Sequence, residues 1–126
     1  MVGAAIIADG RVLAARRPES DCEYKSLKWE FPGGKIEPGE SEEEAIVREI
    51  GEELGCRIEV DALLPEIEHD YPDFTLLLTI CMCHLAPGET PRCLEHASLE
   101  WVTVEELPRL DWAAADARCL DDVVNY

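Results

Sequence analysis

Glu49, Glu52 and Glu53 are the residues from which chemistry is most readily read. They lie three and four positions apart, and at roughly 100° per residue such spacings share one helical face. Three carboxylates on one face repel one another at neutral pH, by roughly a few tenths of a kcal/mol per pair. A hard divalent cation reverses that sign, because Mg²⁺ takes oxygen ligands and neutralises the cluster. A solvated acidic face would account for a lone pair of glutamates. It does not account for the pattern around these three.

Residues 34–56 read GKIEPGESEEEAIVREIGEELGC. They fit Gly-x5-Glu-x7-Arg-Glu-apolar-x-Glu-Glu-x-Gly-apolar without a gap, at Gly34, Glu40, Arg48, Glu49, Ile50, Glu52, Glu53, Gly55 and Cys56. This string resembles the signature of the Nudix hydrolases. Cys56 stands in a slot that is usually aliphatic, where a free thiol packs as a small hydrophobe. The preceding Trp29-Glu30-Phe31-Pro32-Gly33 is similar to the MutT branch, the nucleoside triphosphate diphosphatases that cleanse damaged nucleotides.

The resemblance implies an α/β fold, a Nudix-type α/β/α sandwich with a mixed β-sheet. It implies that Glu49, Glu52 and Glu53 coordinate Mg²⁺, or Mn²⁺ in its place, and that the backbone carbonyl of Gly33 adds an oxygen. Such cations neutralise a triphosphate and make water more acidic. Arg48 would hold a carboxylate of the cluster through bidentate hydrogen bonds, with Glu40 in a supporting role. Glu95, six residues before Trp101, resembles a loop carboxylate that binds metal and takes part in proton transfer. The implied catalytic set is therefore Glu52, Glu53, Arg48 and Glu95. His96 reads as structural.

For the substrate, Lys35 would reach a phosphate, and either Arg16 or Arg17 would face phosphate or ribose. Phe31, with Leu76 or Leu78, reads first as core and alternatively as a wall of the substrate pocket. Asp116 falls where the family reads the base edge. An ionised Asp only accepts hydrogen bonds, which favours bases with adjacent donors, such as guanine or a cytosine amino group. The implied reaction is attack at the β-phosphorus, giving a nucleoside monophosphate and pyrophosphate. Oxidised or modified triphosphates such as 8-oxo-dGTP or modified CTP are the implied targets. Two alternatives are a Nudix hydrolase of nucleoside diphosphate sugars or dinucleotides, and a non-catalytic nucleotide-binding module of the same fold.

The elements that must position these residues follow from pattern. Strands are expected over 2–8 and 11–17, joined by Asp9-Gly10, a tight hairpin dipeptide. Residues 18–28 read as a mobile loop, and the Pro and Gly content of 32–41 as an irregular one. Ser41 and Glu44 make a capping box for a helix running to about Leu54, with Gly55 at the left-handed position beyond it. Ile46, Ile50 and Leu54 form its buried stripe. Gly51, at roughly 1 kcal/mol less favourable than Ala in a helix, suggests close approach of another backbone. Strands are expected over 57–69, 74–85 and 99–102. Thr103 is expected to cap a turn through Leu107, and Asp111 to cap a last helix over 112–124. Cys81 and Cys83 would share a strand face as buried thiols rather than bind zinc, since His84 points away.

At 126 residues, 47% of them hydrophobic, the chain reads as one domain with a real core, which the resemblance implies is a single Nudix hydrolase domain over 1–126. The formal charge of −17 opposes a polynucleotide partner, whose binding depends on Lys and Arg contacts to phosphates. It leaves a small, cation-chelated nucleotide as the expected partner. No apolar run approaches a membrane span of roughly 18 residues, so no membrane partner is expected. The N-terminal apolar run stops at Asp9 and lacks basic residues, and there are six cysteines without a CxxC pair. Reduced thiols and a cytoplasmic location are expected, as a monomer or homodimer.

Overall fold

A computed structural model describes residues 1–126. In chain order it contains β1 (Val2–Ala8), β2 (Arg11–Arg16), β3 (Trp29–Glu30), β4 (Gly33–Gly34), α1 (Glu42–Leu54), β5 (Ile58–Leu63), β6 (Ile67–Asp70), β7 (Thr75–Leu85) and β8 (Ser98–Thr103). A 3-10 turn (Leu107–Arg109), α2 (Ala114–Ala117) and α3 (Leu120–Val124) close the chain. No helix is long and apolar enough to cross a membrane.

The strands form one mixed sheet in the order β3-β2-β1-β7-β5, with β8 on β2, β4 on β1 and β6 on β7. β1 runs parallel to β7, and β1 runs antiparallel to β2. The hairpin works because Asp9 (φ 51°) and Gly10 (φ 76°) both take positive φ, matching the twist of the flanking strands.

Alternation along β7 divides the core. Cys81 and Cys83 face one cluster with Ala4, Ile6, Ile46, Ile50 and Leu54, the apolar face of α1. Leu78, Ile80 and Met82 face the other, with Leu107, Trp112, Ala115, Cys119 and Val123 from the C-terminal segments. The molecule is thus a sheet between helical layers, as the pattern predicts. Burial pushes the Cys81 thiol up to about 12, and raises Cys83 as well, as befits inert core thiols.

α1 begins as its sequence dictates. Ser41 Oγ accepts from the Glu44 amide at 3.1 Å, and Glu44 Oε1 accepts from the Ser41 amide at 2.9 Å. Gly55 ends it at φ 60°. Gly51 corrects an expectation: it is exposed, and a Cβ there would meet nothing within 4 Å. No close backbone explains it.

Three element boundaries also differ. The strand expected over 57–69 breaks into β5 and β6, where Pro65 interrupts pairing with β7. The last helix is two short pieces: α2 starts after Ala113, and Asp111 caps nothing. Instead Asp111 accepts from Lys28 Nζ at 2.8 Å, while its backbone pairs with Trp29. At 103–106 the roles reverse: Glu106 Oε1 accepts from the Thr103 amide at 2.9 Å and from its hydroxyl at 2.8 Å.

Candidate active site

Two glycines set how closely α1 approaches the sheet. A Cβ on Gly33 would stand 2.0 Å from the Val2 carbonyl oxygen, so β4 can pair with β1 only with no side chain there. A Cβ on Gly34 would stand 2.5 Å from the Glu49 carboxyl carbon. Bare backbone here brings α1 carboxylates against the Gly33–Gly34 strand.

Arg48 then ties the loop before α1 to the helix. Its Nε and Nη2 donate to the two oxygens of Glu40 at 2.7 and 3.0 Å, a bidentate pair. Nη1 donates to Glu49 Oε1 at 2.8 Å, and Nη2 to the Lys35 carbonyl at 2.9 Å. Glu52 Oε2 is a longer 3.4 Å away and largely exposed. The bidentate partner is therefore Glu40, and Glu49 is held singly. Hydrogen bonds from Arg48 and from the Glu37 amide pull Glu40 below the usual carboxylate range.

Glu53, on the same face of α1, is largely buried beside His96. Burial pushes it up, His96 opposes that, and the charges of Glu30, Glu49 and Glu95 add to it; the outcome is about 7. Its Oε1 is buried without a hydrogen bond. Beside it, His96 Nε2 lies 3.0 Å from Glu30 Oε2 and 3.8 Å from Glu53 Oε1. Burial lowers His96, but the Glu30 hydrogen bond and the nearby negative charges outweigh it and raise the ring overall. Glu30 Oε1 in turn accepts from Arg17 Nη1 at 3.0 Å.

A cavity of about 810 Å³ opens over these groups, and Gly33, Lys35, Glu53, Glu95 and Asp116 all line it. Arg17, Phe31, Leu76 and Leu78 border it as well. Arg16 does not; it donates to the Leu27 carbonyl at 3.0 Å and its guanidinium lies 5.8 Å from the Trp29 ring centre. Of the two arginines, Arg17 is the one that faces the cavity. Glu95 is exposed on its wall.

Asp116 is buried at 8% exposure, and its Oδ2 accepts from the Phe31 amide at 2.9 Å. Burial, against the pull of that hydrogen bond, raises its carboxyl to about 7. Phe31 packs on Trp112 with ring centres 4.8 Å apart. Tyr71 accepts from the Ala115 amide at 3.0 Å and stacks on Tyr24 and Phe74, at 4.9 and 5.2 Å. Tyr24 also donates to Asp73, fastening the loop after β2 to the β6–β7 turn.

The acidic side chains fit a hard cation by chemistry: they are oxygen donors, and Glu53 offers a buried oxygen with no competing hydrogen bond. They do not stand as a finished cage, since no three acidic, His or Cys side chains group closely enough to enclose an ion. Glu49 is turned to Arg48, and Glu52 to solvent.

Four residues of this site carry little signal in the sequence. Glu30 sits inside the WEFPGG string, but its type alone gives no role. His96 is legible only as a neighbour of Glu95. Tyr71 and Tyr24 meet across 47 residues, a pairing that only the folded chain makes.

A family model described as NUDIX domain matches residues 1–122. The CTP pyrophosphohydrolase of Escherichia coli is 34% identical over 96% of this chain and 87% of its own. The 8-oxo-dGTP diphosphatase of the same organism is 37% identical over 74% of this chain and 71% of its own. A crystal structure of a MutT NUDIX hydrolase from Burkholderia pseudomallei superposes with a TM-score of 0.82, at 34% identity, covering 95% of this chain and 93% of that one.

Proposed function

Because this chain belongs to the NUDIX domain family and is a hydrolase of phosphoric anhydride bonds, we propose that it is a Mg²⁺-dependent nucleoside triphosphate diphosphatase. Its products are a nucleoside monophosphate and pyrophosphate, and its substrates are oxidised or modified triphosphates. The observation that carries this reading is one cavity lined both by phosphate-side groups, Glu53, Glu95 and Lys35, and by a buried base-side acceptor, Asp116. Relatives named for 8-oxo-dGTP and for CTP support the substrate class. Six free thiols fit a reducing, cytoplasmic setting.

Glu49, Glu52, Glu53, Glu95 and the Gly33 carbonyl are the groups that would hold Mg²⁺. When bound, the cation neutralises phosphate charge and polarises the phosphoryl group. The rest is done by side chains. Arg48 anchors Glu49 and Glu40 so that α1 and the loop before it move as one body. Arg17 has donors left after its bond to Glu30, and with Lys35 it meets phosphate oxygens. Glu95, exposed at the cavity wall, takes the proton of the attacking water. The water oxygen bonds to the β-phosphorus, the bridge to the α-phosphate breaks, and the monophosphate leaves. Phe31 and Asp116 fix the base, Phe31 by its ring and Asp116 by its carboxyl edge.

A nucleotide panel with Mg²⁺ and coupled inorganic pyrophosphatase tests the reading. Phosphate release from triphosphates that depends on the coupling enzyme is expected. Activity confined to nucleoside diphosphate sugars or dinucleotides, or none at all, contradicts it.

A further inference from the structure

Arg17, Glu30, His96 and Glu53 form one line of polar contacts, from a cavity arginine to the buried carboxylate of α1. His96 is its pivot. The side chain is 6% exposed, and its Nδ1 is buried with no partner. Nε2 lies 3.0 Å from Glu30 Oε2, a carboxylate ion-paired with Arg17 that can only accept, so Nε2 carries the proton. One N–H cannot serve both Glu30 and Glu53. Glu30 at 3.0 Å receives it, and Glu53 at 3.8 Å lies beyond hydrogen-bond reach. Glu53 Oε1 is left without a hydrogen bond in a buried place.

An isolated buried carboxylate oxygen is costly, and the nearest donor would ordinarily capture it. Here that donor is already engaged. We propose that Glu30 is a positioning residue that holds the His96 N–H away from Glu53, keeping Glu53 Oε1 free for the divalent cation. Arg17 keeps Glu30 in place by occupying its other oxygen. The same carboxylate thereby links the arginine facing the substrate to the ligand facing the cation. The inference rests on Glu53 being a cation ligand, as proposed above.

Mn²⁺ binding to nucleotide-free protein, followed by electron paramagnetic resonance or calorimetry, tests it without any turnover. Glu30→Gln removes the charge but keeps an acceptor for His96. Glu30→Ala removes both and releases the ring onto Glu53. Glu30→Ala should therefore weaken Mn²⁺ binding at least fivefold more than Glu30→Gln. That excess should vanish when His96→Ala is added to each. Equal weakening by the two Glu30 variants would overturn the proposal, since charge alone would then suffice. His96→Ala by itself should bind Mn²⁺ as tightly as the parent or more tightly; a loss would make His96 a support of Glu53 rather than a competitor. Circular dichroism confirms the fold of each variant, and the His96→Ala comparison stands even if Glu30→Ala does not fold. If the parent binds no Mn²⁺, the cation assignment itself fails; if the parent binds and the variants disobey the order, only the role of Glu30 fails.

Discussion

Glu53 is held where an ionised carboxylate is least comfortable, half out of solvent and among the charges of Glu30, Glu49 and Glu95. A bound cation would relieve that strain. Glu53→Gln keeps the shape and removes the charge. The rate should fall by about 100-fold or more, equivalent to roughly 2.7 kcal/mol of transition-state stabilisation. The metal-free protein should unfold at the same or a higher urea concentration than the parent. Near-parental kcat in this variant would remove Glu53 from the mechanism. Asp116 poses a different question. Its carboxyl keeps a proton in the folded chain up to about 7, whereas the ordinary value is 3.8. Between those values the folded state binds more protons than the unfolded one, so stability falls as pH rises through that window. Asp116→Asn should flatten the fall measured by urea unfolding at pH 5 and pH 8. The same change should reorder kcat/KM among guanine, 8-oxoguanine and cytosine triphosphates, by roughly 1–3 kcal/mol for the preferred base. A uniform drop for every base would instead assign Asp116 to folding or catalysis. The acidic triplet stands out by residue type and spacing, whereas Asp116 is singled out only by the family resemblance, and its burial against the Phe31 amide only by the fold. Glu30 and His96 were not legible, because their meaning lies in a contact across 66 residues.

At the scale of elements, α1 was the most readable part of the chain. Capping residues, apolar stripe and terminal glycine all agree with the helix that forms. Ile50 is fully buried between helix and sheet. Ile50→Ala should cost about 2–5 kcal/mol in urea unfolding, through lost apolar burial and the cavity left behind. A loss below about 1 kcal/mol would mean that the helix is not held by this stripe. Less regular elements were read less well, for physical reasons. β3 and β4 are two residues each, too short for any period to register. The C-terminal segment carries apolar residues at helical spacing, yet breaks between α2 and α3. Trp112 bonds the Leu107 carbonyl at 2.6 Å, and Asp116 turns inward to Phe31. These tertiary contacts override the local helical pattern. Gly51 remains without a packing explanation in this structure.

For the molecule as a whole, the balance of charge decides when the site can work. The chain carries −17 at neutral pH, and two cavity carboxylates, Glu53 and Asp116, are pushed up to about 7. Ionisation of Glu53, the phosphate-side member of the pair, is therefore favoured by alkaline conditions. The rate with Mg²⁺ should peak near or above pH 8; a peak below pH 6 would rule out this arrangement of groups. The overall sandwich was anticipated because strand alternation and one amphipathic helix leave few ways to bury both sheet faces. Which faces would line one cavity was not, since Glu30, Glu53, Glu95 and Asp116 come from four separated stretches. The most direct measurement is the product balance from one triphosphate, separated by ion-exchange chromatography with and without Mg²⁺, in ¹⁸O-labelled water. The account predicts equal amounts of nucleoside monophosphate and pyrophosphate, only with the cation, and the label in pyrophosphate. Nucleoside diphosphate with orthophosphate, or the same turnover without a divalent cation, would contradict it.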